Sequence, residues 1–292
     1  MPLGGRNSAS LHQAFRGLAF ASSLGWVLSV FAAVPAQAGY AIHEMVGWAQ
    51  GVTELQRGPV DIANPEWGTA GYGAEADVLG PAAGDNLTVL SLGDGGFITL
   101  EFDPPIGNGP GDDFAVFENG FYDNATGELF GEFAFVEVSS NGVDFARFAT
   151  ETTRTSPVAS GGTVEAADYW GFAGVDPAGL GTGFDLNELV GHPLQVTGSL
   201  DVYDIAFVRV VDVIGDGSTT DDLANPVYDP YSTPFASGGF DLDGIGAIHV
   251  PEPALSSTLS AGLLLLGGLA RRRRARHRPP HTTEADRFGP PR

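Results

Sequence analysis

Closely spaced carboxylates are the residues of this sequence best placed to do chemistry. Asp112, Asp113, Glu118 and Asn119 form one cluster, and Asp241 and Asp243 stand two apart. Residues two apart on a strand share a face. A hard cation such as Ca²⁺ takes about six to eight oxygens from carboxylates, amides and carbonyls. It also relieves the repulsion between facing buried carboxylates. The expectation is a calcium site built from Asp113, Glu118, Asp241 and Asp243, provided that their two strands meet. The alternative is that these groups are solvated or accept hydrogen bonds from loop amides. Asp212, Asp216, Asp221 and Asp222 form a second acidic loop. It is not an EF-hand: Ile214 holds the third ligand position and Leu223 the terminal one. GGFDLD (238–243) lacks the spacing of calcium β-rolls.

Aromatic side chains are the second chemical resource. Trp67, Tyr72, Phe121, Tyr122, Tyr169, Trp170, Tyr228 and Tyr231 fall in predicted loops beside glycine and polar residues. Trp67, Tyr122, Trp170 and Tyr231 are the candidates for stacking on sugars; the competing role is anchoring loops to the core. Nothing points to catalysis. His43, His192 and His249 lie far apart, His43-Glu44 starts no zincin motif, and no G-x-S-x-G elbow occurs. A glycosidase needs two carboxylates, but among 33 in residues 39–250 any pair can be imagined. The expectation is a protein that is not an enzyme.

Composition narrows the field further. The 292 residues carry a net charge of −22, no cysteine and no lysine, so all 14 basic residues are arginine. Disulfide scaffolds, thiol catalysis, cysteine-ligated zinc, Schiff-base lysines and Walker lysines are excluded. The charge is segregated. Residues 39–250 hold 33 acids against Arg57, Arg147, Arg154 and Arg209, a net of −29. Such a domain repels phosphate backbones, so nucleic acid is not its partner. Divalent cations, or simply a salty environment, suit it.

Both ends read as addresses. Arg6 and Arg16 precede an apolar stretch, 17–34, and then Ala36-Gln37-Ala38, a signal-peptidase pattern. Residues 1–38 are the expected signal peptide; a retained anchor is the alternative. At the other end, Pro251-Glu252-Pro253 precedes 17 uncharged residues, 254–270, and then Arg271, Arg272, Arg273, Arg274, Arg276 and Arg278. A 17-residue helix spans about 25 Å, slightly short of a bilayer core of about 30 Å. The arginines keep this end cytoplasmic. This tail resembles the PEP-CTERM sorting signal of Gram-negative bacteria: motif 251–253, transmembrane helix 254–270, arginine-rich end 271–278. The resemblance implies recognition by an exosortase, inner-membrane anchoring until the tail is removed, and export to the surface or exopolysaccharide matrix. Residues 279–292 extend beyond the usual pattern. An ordinary single-span anchor is the alternative.

The segment between, 39–250, is patterned for strands. LTVLSL (87–92) and FITLEF (97–102) flank Gly93-Asp94-Gly95-Gly96, a hairpin signal. FAFVEVS (133–139) and VDFARF (143–148) flank Asn141-Gly142, the signature of a type I′ turn. Phe114–Phe117, Ile205–Val213 and Phe240–Val250 are further strands, and Leu194–Thr197 is an additional candidate. Asp185 caps a short helical turn, 186–190, ended by Gly191. Residues 40–56 fit either a helix or an extended edge. About eight short strands between long Gly/Pro/Asp loops predict an all-β, jelly-roll β-sandwich ectodomain. The loops 122–132, 150–187 and 215–238 are where function is expected.

The stretches 91–121, 133–148 and 228–248 resemble bacterial cell-surface proteins with PEP-CTERM or other secretion tails. VEVSSNGVDFARF also resembles the strand pair of discoidin-type, galactose-binding-like domains, which implies a jelly roll with ligand-binding loops at one end. The expected function is an exported surface or matrix protein with a structural or binding role, supported by Ca²⁺. Its expected partners are signal peptidase, exosortase and exopolysaccharide or surface glycans. The alternatives are a carbohydrate-binding module, a secreted polysaccharide-degrading enzyme, and an inner-membrane-anchored ectodomain.

Overall fold

A computed structural model describes residues Gly39–Pro251. The expected signal peptide 1–38, Glu252 and Pro253 of the expected sorting motif, the apolar stretch 254–270, the arginine cluster and the tail 279–292 lie outside the described residues. Among the described residues no helix is long and apolar enough to cross a membrane.

The described chain is all-β. Its early strands are β1 (Gly39–Ala41), β2 (Gly47–Trp48), β3 (Gly51–Gln56), β4 (Leu90–Ser91), β5 (Phe97–Ile106) and β6 (Phe114–Glu118). The middle holds β7 (Phe121–Tyr122), β8 (Leu129–Phe130), β9 (Ala134–Ser139), β10 (Ala146–Arg147), β11 (Glu151–Thr152) and β12 (Tyr169–Trp170). The last are β13 (Leu180–Phe184), β14 (Ile205–Asp212), β15 (Asp216–Thr220), β16 (Pro226–Tyr228) and β17 (Asp241–Ala247). One antiparallel sheet runs β1-β13-β6-β17-β2, with β4 also on β17. A second runs β10-β9-β14-β5-β3. Three two-stranded ladders, β7-β8, β11-β12 and β15-β16, stand in the connections. From β5 onward, each long strand hands the chain to the opposite sheet: β5 to β6, β9 to β13, β14 to β17.

The two sheets share one apolar core. Ile98, Leu100, Val136, Val138, Val208 and Val210 come from one sheet, and Phe114, Val116, Phe184, Leu242 and Ile245 from the other. Along β14 the alternation separates two faces. Val208 and Val210 are buried, while Arg209 lies over Phe145 and reaches Glu54 at 2.9 Å. Phe114 is the aromatic hub of the core, stacked on Phe184 at 5.4 Å and edge-on to Phe148 at 5.9 Å.

Several expected elements are as read. β6, β9, β14 and β17 fall on the predicted apolar runs, and β9 pairs with β10 as a hairpin. Asp185 caps the turn Leu186–Leu189 by accepting from the Asn187 amide. Residues 40–56 resolve as edge strands around a short 3₁₀ turn. Three readings need correction. Leu90–Ser91 and Phe97–Ile106 do not form a hairpin: β4 pairs with β17 and β5 with β14, so Gly93–Gly96 carries the chain between sheets. Asn141 does not adopt positive φ, so the turn is not type I′. Its side chain instead accepts from the Val143 and Asp144 amides. Leu194–Thr197 is helical, because Pro193 opens the turn and His192 caps it.

Truncating the hub removes two ring contacts and leaves a cavity between the sheets. Phe114→Ala should cost about 3–5 kcal/mol, read as a lower urea midpoint at unchanged slope. A loss below about 1 kcal/mol would show that the two sheets do not share this core.

Candidate functional site

The ends of the central strands decide which residues meet. Antiparallel pairing sets Leu242 of β17 opposite Glu118 of β6, so Asp241 and Glu118 come together. In the other sheet, the end of β14 and the start of β9 are paired, Asp212 against Ala134. Glu132, Asp212, Glu118 and Asp241 therefore gather at one end of the domain.

A cavity of about 290 Å³ opens there. Glu132, Asp241, Asn119 and Asn86 stand in its wall, with Thr233 and Ser237 from the β16–β17 loop. Phe121, Phe130 and Phe235 supply the apolar side. Phe121 and Phe130 stack at 5.0 Å across the β7-β8 ladder, and Phe235 is 64% exposed. The carboxylates are fixed in place. Asp241 accepts from Asn119 Nδ2 at 2.9 Å and from Ser91 Oγ. Glu132 accepts from Thr233 Oγ1 at 2.8 Å. Beside them, Glu118 is fully buried. Its Oε2 accepts from the Gly120 amide at 2.5 Å, and its Oε1 has no hydrogen-bond partner.

These acids lie in a low-dielectric setting without matching cations. Burial, and then the charge of Asp241, push Glu118 and Glu132 well above the usual carboxylate range. Burial raises Asp241 to about 6. Farther in, burial raises Asp229 to about 7, and burial with the Asp229 charge raises Asp212 well above its ordinary value. Arg57 opposes the rise at Asp241, but its guanidinium donates to the Tyr72 and Gly73 carbonyls. Arg147 and Arg209 pair with glutamates on the outer face of the other sheet, and Arg154 donates to the Ser156 carbonyl.

The predicted calcium set is split. Glu118 and Asp241 are neighbours, as the spacing argument required. Asp113 is not with them. It precedes β6, about 16 Å from Glu118 by strand rise. There it accepts from the Gly109 and Leu186 amides and meets His249 Nδ1 at 2.9 Å. Asp243 accepts from the Ala83 and Gly84 amides. Both therefore hold loop backbone. Among the described residues no group of three or more acids or histidines is arranged to hold a metal ion. In the second acidic loop, Asp212 accepts from Gly95 and Phe240, Asp221 from Thr152, Leu223 and Asn225, and Asp222 from Thr150.

None of the four stacking candidates lines the cavity. Trp67 is exposed on a separate 3₁₀ turn, and Trp170 is half-buried in β12. Tyr231 donates its hydroxyl to Asp61 at 3.0 Å. Tyr122 is exposed beside Phe121 on the β7-β8 ladder. Tyr169, from the wider aromatic set, is core, packed on Phe133 at 4.0 Å. The residues that sequence reasoning missed are Glu132, Phe130 and Phe235. Each falls within a stretch read from sequence as a long loop, without a motif around it, although Phe130 belongs to β8.

No protein family and no curated protein matches the chain. The chemistry must therefore be read from the cavity. It offers fixed carboxylates, amides and hydroxyls opposite phenyl rings, which suits a polar ligand with one apolar face.

The raised carboxylates set a pH dependence. A carboxylate whose folded pKa exceeds its unfolded value binds its proton more tightly when folded. Its protonated form therefore stabilises the fold, and that contribution is lost as pH rises through the folded pKa. Asp241 and Asp229 place the window between the unfolded value of about 4 and about 6 to 7. The thermal midpoint should accordingly rise between pH 7.5 and pH 5. A midpoint that falls over this interval would contradict uncompensated burial of these acids.

Proposed function

We propose that this chain is an exported surface or matrix protein whose β-sandwich binds a saccharide in the cavity at the β6/β17 end. The observation that carries the reading is the wall itself: Asn86, Asn119, Glu132 and Asp241 face Phe121, Phe130 and Phe235. Sugars present hydroxyls at their edges and carbon–hydrogen faces, and sites for such ligands combine fixed polar groups with aromatic surface. Export is supported by the signal-like residues 1–38 and by the tail 251–278 that resembles a PEP-CTERM signal. On this reading signal peptidase and an exosortase process the chain, and the matrix glycan is its partner. Crossing between sheets at each long connection supports a jelly-roll topology of the galactose-binding type, with ligand loops at one end.

The role is binding rather than turnover. Cleavage is the second reading, favoured by one observation: Glu132 and Asp241 both stand in the wall and both hold protons unusually tightly.

The test is a glycan array and calorimetry on the full chain in detergent, beside Phe121→Ala and Phe235→Ala. Both rings are substantially exposed, so the variants should fold. Each should weaken binding about three- to tenfold, the worth of one aromatic contact. Absence of saturable binding to any glycan would sink the reading. Release of reducing ends that stops in Glu132→Gln would replace binding with hydrolysis.

A further inference from the structure

We propose that the saccharide bound in this cavity is cationic, an amino sugar whose ammonium sits against Asp241 and Glu132 while its carbon face meets the phenylalanines. The inference rests on the saccharide-binding reading and specifies its ligand.

Three observations point to positive charge. The first is the balance of the wall. Glu132 and Asp241 reach the cavity, and their protein partners are the neutral donors Thr233, Ser91 and Asn119. No lysine, arginine or histidine is among the wall residues. Neutral donors satisfy lone pairs but leave the charge unbalanced, and an unbalanced charge in a low-dielectric site is costly. The second is Glu118, buried beside them with Oε1 unpartnered. A buried acceptor without a donor is uncommon, and this one lies beside Asp241 behind the cavity wall. The third is the phenyl surface. The face of an aromatic ring is electron-rich and attracts an ammonium as well as a sugar's carbon face.

Size and charge type exclude a bare metal as the better fit. A calcium ion needs about six to eight oxygens at about 2.3–2.6 Å. Phenylalanine offers none, and no suitable acid cluster exists among the described residues. A cavity of about 290 Å³ is at the small end of ligand sites, which span about 300–1,000 Å³, and suits one ring bound end-on. The surrounding charge, 33 acids against four arginines in residues 39–250, would draw a cationic glycan towards the site.

The experiment is calorimetry on the full chain in detergent at about pH 7 and about 0.15 M salt, where exposed charges are screened beyond about 8 Å. The probes are a glucosamine tetramer, its N-acetylated counterpart, a neutral glucose tetramer and CaCl₂. The expected result is saturable binding of the glucosamine tetramer, at least tenfold weaker for the two neutral probes. Asp241→Asn keeps the side-chain shape and should weaken the glucosamine tetramer at least tenfold. If that variant does not fold, Phe235→Ala on the rim should weaken it about three- to tenfold. Equal binding of the neutral probes would overturn the charge proposal and leave the saccharide reading standing. No binding by any sugar would overturn both. Glucosamine binding untouched by the cavity variants would place it on the general acidic surface and overturn the site. Calcium binding lost in Asp241→Asn, without amino-sugar binding, would make the cavity a metal site instead.

Discussion

The demand that shapes this domain is that loop amides must find acceptors. Long connections between sheets leave backbone N–H groups outside any ladder, and a buried amide without a partner is destabilising. The described residues hold few helices, and the sequence has no cysteine, with which to pin such loops. The chain uses carboxylates. Asp113 holds Gly109 and Leu186, Asp243 holds Ala83 and Gly84, and Asp212 holds Gly95 and Phe240. Asp94 and Asp229 do the same for Ile62 and Phe133. Apart from the local bond between Asp113 and Gly109, each tie joins segments distant in sequence. Much of the acidity in residues 39–250 is therefore internal fastening rather than a solvated coat.

Close approach is part of the fastening. A Cβ on Gly215 would stand 1.5 Å from Asp229 Oδ1, so glycine alone lets that carboxylate lie along the chain. At the β6/β17 end the same device goes further than backbone needs. Glu118 retains an oxygen without a donor, and Glu132 and Asp241 turn towards open space. Here the acids exceed the amides available, and the surplus is what makes the end chemically distinct from the Asp113 end.

The long strands were legible because alternation and apolar runs report burial directly: FAVF at β6 and IAFVRVVD at β14 hardly admit another reading. The pairing of β6 with β17, which joins Glu118 to Asp241, was a condition of the calcium reading and not something the residue pattern revealed. Other features were hidden for physical reasons. Gly93 and Gly95 take positive φ, but such glycines serve a hairpin and a passage between sheets equally well. Asp113 and Glu118 look like one cluster in sequence, yet a strand between them separates their ends. Glu132 and Phe235 carry no local pattern. Their roles arise from where the sheets deliver them.

The order of strands also governs how the domain can come into being. β17 is the last strand among the described residues and sits between β6 and β2, with β4 added. All seven of its residues are buried. A chain emerging from its N-terminus thus lacks the middle of one sheet until nearly the whole of 39–250 has appeared. The other sheet, β10-β9-β14-β5-β3, has all its strands once β14 is present, so the two sheets are completed in turn. Closure of the core between the sheets would therefore wait for β17.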